Sequence, residues 1–167
     1  MNIFWKAFLY LGIYSMLHFG YEITQIPFLK PIFGTSESVF EHLKMGFFAY
    51  LFASLGEYLW IPRRSREPNF FFARVLSTLL VPWVIFVVWY LGPALWGEAP
   101  SLSLELSWAL GVTFFSGMAG STLEKEVERV RFSQGTQFLL CFLFGISAFL
   151  FVRFTYILPW IDVFTRP

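Results

Sequence analysis

The sequence predicts an all-α fold, an integral membrane bundle of five transmembrane helices, and three observations carry that reading. First, 57% of the 167 residues are hydrophobic and 22% aromatic while only 14% are charged, against about a quarter charged in an ordinary soluble domain. Such a chain cannot cover its apolar surface with polar side chains, so the solvent it suits is lipid. Second, apolar runs long enough to cross about 30 Å of hydrocarbon at 1.5 Å per residue recur between short polar connections. Third, those connections alternate between basic and nearly charge-free.

The first span runs from about Ile3 to Tyr21. Lys6 followed by an apolar stretch superficially resembles a signal peptide, but no small-x-small cleavage site precedes His18 and Glu22, so the segment reads as a retained helix. The loop "ITQIPFLKPIFGTSE" is too apolar for a free linker, and Pro27, Pro31 and Gly34 break it into turns against the membrane interface. The second span, about Phe40 to Ile61, opens with "SESVFEHLKM". The third, about Phe70 to Leu91, holds Pro82, which removes a backbone donor and is expected to bend the helix. The fourth, about Leu104 to Leu123, carries Gly111, Ser116, Gly117, Gly120 and Ser121; the fifth, about Phe132 to Tyr156, carries Gly135, Gly145, Ser147 and Ala148. Small residues three or four apart let helix backbones approach closely in lipid. No internal repeat divides the chain, so residues 1–167 read as one domain.

Orientation follows from the preference of Lys and Arg for short cytoplasmic loops. "IPRRSREPN", with Arg63, Arg64 and Arg66, precedes Arg74, and "EKEVERVR" holds Lys125, Arg129 and Arg131. In a five-helix chain both connections share a side with Lys6, whereas the opposite loops hold little beyond Lys30. The N-terminus is therefore expected inside and the C-terminus outside, in a multi-pass protein of the cell membrane. Trp5 and Trp60 then mark the inner interface, and Trp89, Tyr90, Trp96, Trp108, Tyr156 and Trp160 the outer one. "STLEKEVERVRF" reads as a short solvated helical extension. A net charge of +1 gives no electrostatic case for nucleic acid, and the lone Cys141 excludes an internal disulfide. The partner implied throughout is the lipid bilayer, with a homo-oligomer or a membrane-complex partner compatible with it.

Ionisable side chains are expensive in lipid, by about 2.5 to 3.5 kcal/mol at the bilayer centre on insertion scales. His18 and Glu22 share a face at the outer end of the first helix, with Tyr14 one turn deeper. Glu37, Glu41 and Lys44 form one stripe at the start of the second helix, and His42 points about 100° away from Glu41. Arg153 reaches the same depth on the fifth helix, and Glu105 on the fourth. The ligand-binding set is thus His18, Glu22, Glu37, Glu41, His42, Lys44 and Arg153. Ser38-x-x-Glu41 also has the form of a capping box, which explains those two residues without a site, but not His42 or Lys44. Imidazoles and carboxylates together suit a divalent metal, with His18, Glu22, Glu41 and His42 as ligands and Glu37 or Glu41 as general base. No HEXXH-type motif, serine nucleophile elbow, phosphate-binding loop or dinucleotide fingerprint is present. Glu57, near the inner boundary, suits a pair with Arg74, Arg63 or Arg64, or a proton-transfer role.

"TSESVFEHLKMGFF", with the upstream "HFGYE", resembles the signature of an uncharacterised family of small multispanning bacterial membrane proteins, a domain of unknown function. Its pattern is close to Asn-Glu-Ser-x-x-Glu-His-Leu-Lys, matched here at Glu37, Ser38, Glu41, His42, Leu43 and Lys44, with Ser36 where the pattern has asparagine. The resemblance covers the first third of the chain. It implies a bacterial multispanning protein and supplies no activity.

Three function classes fit these residues. One is a membrane protein whose outward polar pocket binds a metal ion or small polar ligand, extending to a solute or cation transporter. The second is an intramembrane metal-assisted hydrolase or lipid-modifying enzyme, and the third an accessory subunit of a membrane complex. Transport needs a path, and the midplane offers few polar groups beyond Ser54, Ser77, Thr78, Thr113 and Ser116. A pocket on one side fits that distribution better.

Overall fold

The computed structural model describes residues 1–62, 64, 66–97 and 99–159. Arg63 and Trp160, expected at the inner connection and in the outer aromatic belt, lie outside the described residues. The described chain is all-α: five helices joined by short connections and one 3₁₀ turn, Pro27–Leu29.

Helix α1 spans Ile3–Thr24, α2 Val39–Trp60, α3 Phe70–Trp96, α4 Leu102–Val127 and α5 Gln134–Tyr156. Four of them begin on a side-chain cap: Asn2, Ser38, Ser101 and Ser133 each accept from a backbone N–H of the first turn. α3 is continuous through both Pro82 and Pro93 and ends five residues beyond Leu91. α3, α4 and α5 are long and apolar enough to cross a membrane. α1 and α2, at 22 residues each, are also long enough, but Lys6, Glu22, Glu41, Lys44 and Glu57 dilute their apolar character.

α1, α2, α3 and α4 form a ring in which each helix packs on the next and α4 closes on α1, while α5 lies outside against α3. Phe144 and Phe151 of α5 also reach Phe47 of α2, with ring centroids 5.3 and 5.2 Å apart. Small residues explain why the ring closes tightly. A Cβ on Gly117 would lie 2.5 Å from Tyr10 Cδ1 and 3.4 Å from the Ala7 Cα, and one on Gly120 would lie 2.6 Å from Val81 Cγ2. Gly145 of α5 does no such work, since a Cβ there meets nothing within 4 Å, whereas Ala148 packs against the core.

The ring buries polar side chains beside its hydrophobic core and turns an apolar surface outward. Ser77, Thr78, Thr113, Ser116 and Ser121 are buried and donate to backbone carbonyls, whereas Phe4, Trp5, Trp60, Trp83, Phe138 and Phe149 are exposed. Such a distribution suits lipid outside and satisfied polar groups within.

Both basic connections lie at the end where α1 begins. Asn69 N–H, before α3, donates to the Glu128 carbonyl at 3.1 Å, and Lys6 reaches Glu124 near the end of α4 at 2.6 Å. At the other end the α1–α2 loop folds back over α1. Gly34 N–H donates to the Leu17 carbonyl at 3.0 Å, Phe33 sits against Gly20 so closely that a Cβ there would be 2.9 Å from its ring, and Met45 fills the space beside Gly34. That fold-back brings the start of α2 onto the end of α1.

Candidate functional site

α2 begins at Val39 with Ser38 as its cap, so Glu37 precedes the helix instead of sharing a helical stripe with Glu41. The Ser38 oxygen accepts from Glu41 N–H at 3.4 Å. The reciprocal half of a capping box is not made: Ser38 N–H goes to Ser36 Oγ at 3.4 Å, and Glu41 turns elsewhere. Glu41 Oε2 accepts from the Thr35 N–H at 2.7 Å and its hydroxyl at 3.2 Å, and Oε1 from Lys44 Nζ at 2.9 Å. Lys44 is fully buried and also donates to the Lys30 carbonyl at 3.0 Å and to Thr155 Oγ1 at 3.2 Å. Glu41 and Lys44 therefore form a buried latch tying the loop, α2 and the end of α5 together.

One residue's rotation away, His42 enters a different cluster. Its Nδ1 lies 2.9 Å from the Ser38 carbonyl. A carbonyl only accepts, so Nδ1 carries a hydrogen and Nε2 is the ring atom turned toward Glu37. Nε2 of His42 and Nε2 of His18 each lie 3.5 Å from the same oxygen, Glu37 Oε2. The two imidazoles meet nearly edge to face at 5.5 Å. His18, Glu37 and His42 each offer one ligand atom, all within 4.8 Å of one another.

This donor set has the chemistry of a metal site. An ion held at about 2.0–2.2 Å by nitrogen and oxygen ligands separates them by about 3.4 Å in tetrahedral geometry, close to the two histidine–Glu37 separations of 3.5 Å. A ligating histidine ordinarily donates its second ring N–H to a carbonyl or carboxylate, as His42 does to Ser38. The side chains are 24% exposed at His18, 31% at His42 and 62% at Glu37, so the cluster opens to solvent. Beside it a cavity of about 60 Å³ is lined by His18, Tyr21, Glu22, Thr35, Ser36 and Glu37 among others, room for an ion and a water or two.

The other site candidates fall elsewhere. Glu22 lines the cavity but is exposed and lies outside the trio of ligand atoms. Arg153 and Glu105 are exposed and make no ion pair among the described residues.

A second polar cluster, buried at the opposite end, was only partly foreseen. Lys6 Nζ is 2.6 Å from Glu57 Oε2 and 2.6 and 2.8 Å from the two oxygens of Glu124. Arg74 joins Glu57 at 3.2 Å and Glu128 at 2.6 Å, and Tyr50 donates to Glu124 at 3.0 Å. Glu57 thus takes Arg74, the first of the partners expected for it. "STLEKEVERVRF" departs from a purely solvated extension: Lys125, Glu126 and Arg129 are exposed, but Glu124 is buried because α4 continues to Val127 and turns it toward Lys6. The signal available in the sequence was depth, since Lys6, Glu57 and Glu124 lie at matching ends of three neighbouring helices.

Comparison with family models, curated proteins and solved structures finds no match to this chain.

Proposed function

We propose that the chain is a five-span membrane protein, N-terminus inside and C-terminus outside, whose outer pocket binds a divalent metal ion through His18, Glu37 and His42. The observation that carries the reading is the convergence of both Nε2 atoms on Glu37 Oε2 at 3.5 Å, with the His42 ring fixed from behind by the Ser38 carbonyl. Relative to the set expected from sequence, Glu37 joins the ligands, Glu22 lines the approach, and Glu41 is committed to Lys44. Spanning by α1 and α2 is supported by the inward direction of Lys6, Glu41, Lys44 and Glu57, all buried against opposite charges. The orientation is supported by the shared end of the basic connections.

Bound there, a metal supplies Lewis acidity or a more acidic water, and the neighbouring cavity admits a small polar ligand. Metal analysis of the purified protein after dialysis tests the reading. About one divalent ion per chain is expected, and its loss in both His18→Ala and His42→Ala. A wild-type protein that takes up no Zn²⁺, Mn²⁺ or Fe²⁺ overturns it.

A further inference from the structure

The exposed apolar surface of α1 does not stop at the level of the histidine pocket. Phe19, one residue's rotation from His18, packs its ring 4.9 Å from the imidazole, centroid to centroid, and is 53% exposed. Ile23, about 7.5 Å further along the helix than His18, is 79% exposed. Beyond it the 3₁₀ turn presents Phe28 at 86% exposure, with Ile26 also exposed. With the chain spanning the bilayer as proposed, these side chains contact lipid. The lipid boundary then lies beyond His18, and the pocket sits at headgroup depth.

Electrostatics then selects among the groups found at that depth. Glu22 and Glu37 bring two negative charges to the cavity. Lys30 holds its ammonium 5.2 Å over the ring of Tyr21, which also lines it. Glu41 and Lys44 neutralise each other in the latch. A divalent ion on His18, Glu37 and His42 would therefore leave one positive charge uncompensated, and three protein ligands leave a fourth coordination position open. The phosphodiester of a phospholipid carries a single negative charge and two non-bridging oxygens. Those oxygens can take the places of the water molecules for which the cavity of about 60 Å³ has room.

We infer that the ligand of this pocket is a membrane phospholipid: a phosphodiester oxygen takes the open metal position, Lys30 balances the charge, and the acyl chains lie along Phe19 and Ile23. The inference rests on the metal reading above and names the class of molecule that site binds. Its two halves are separable, because the phosphodiester engages the metal and Lys30 while the chains engage only the exposed apolar surface.

The test uses the full chain in dodecylmaltoside, a detergent without phosphate, loaded with one equivalent of Co²⁺ and titrated while the visible bands are recorded. Dioctanoylphosphatidylglycerol is expected to shift the bands and to saturate at one lipid per chain. Its deacylated headgroup, glycerophosphoglycerol, and inorganic phosphate should each need at least about tenfold higher concentration, since neither buries apolar chain. Dioctanoylglycerol, which lacks the phosphate, should leave the bands unmoved. Lys30→Met should weaken the phospholipid several-fold and leave the spectrum recorded before lipid unchanged. Ile23→Ser combined with Phe28→Ser should narrow the gap between the phospholipid and its deacylated headgroup. Bands that never form overturn the metal reading and this inference with it. Bands that form but ignore the phospholipid, or respond equally to glycerophosphoglycerol, overturn this inference alone and leave the metal reading standing.

Discussion

Replacing Lys6 by methionine is the sharpest perturbation of the buried charge cluster. The side chain keeps its approximate volume and loses its charge, so packing changes little while three contacts of 2.6–2.8 Å vanish. Glu57 retains Arg74 at 3.2 Å. Glu124 keeps only the Tyr50 hydroxyl at 3.0 Å and a distant Arg74 at 3.8 Å. Breaking a buried pair so that one charge stays uncompensated costs about 3–5 kcal/mol, and that is the loss expected here. Adding Glu124→Gln removes the stranded charge while the amide oxygen still accepts from Tyr50, so about half of the loss should return, roughly 2 kcal/mol. The assay is reversible unfolding in mixed micelles by SDS titration, followed by tryptophan fluorescence. A Lys6→Met loss below about 1 kcal/mol, the range of an exposed ion pair, would refute the reasoning, as would a double variant no more stable than the single one.

Three further outcomes are expected. Gly117→Ala forces a Cβ to within 2.5 Å of Tyr10 and 3.4 Å of the Ala7 backbone, and should cost about 1–3 kcal/mol by overpacking; Gly145→Ala, facing open space, should be neutral or stabilise by up to about 1 kcal/mol through helix propensity, both read by the same titration. Lys44→Met strands the buried Glu41 carboxylate and releases Thr155, so it should destabilise by about 3 kcal/mol and increase protease cleavage in the α1–α2 loop. Single cysteines placed at Phe28 and at Arg129, with Cys141 changed to serine, should react with an impermeant maleimide from opposite faces of the membrane; labelling of both from one face would refute the topology.

The helices were legible because each apolar run has the length of a membrane span and is set off by a short polar connection; Ser38, Ser101 and Ser133 cap three of them by accepting from the first turn. The ends were less legible where polar residues continue a helix, as at Glu124 in α4, or where proline does not stop one, as at Pro93 in α3. Depth placed His18, Glu37, Glu41, His42 and Lys44 at one end of the bundle. Direction was beyond it, since adjacent residues on a helix separate by about 100°. That single step sends Glu41 into the latch with Lys44 and His42 toward Glu37. The inner cluster was hidden for a related reason. Lys6 and Glu124 look like ordinary charges flanking membrane spans until the ring closes α1 on α4.

The same geometry divides labour at the histidine end. The latch of Glu41, Lys44 and Thr155 holds the loop and α5 in place, and the loop so held positions Glu37 over the two imidazoles. A metal held at that point would draw ligands from α1, from the loop and from α2 at once.

Cobalt substitution tests that claim most directly, because Co²⁺ visible absorption reports nitrogen and oxygen ligation at low coordination number. The metal-stripped protein titrated with Co²⁺ should develop intense visible bands that saturate at one equivalent, weaken or vanish in His18→Ala, Glu37→Gln and His42→Ala, and persist in Glu22→Gln. Bands absent from wild type, or retained in the Glu37 and His42 variants, would contradict the account.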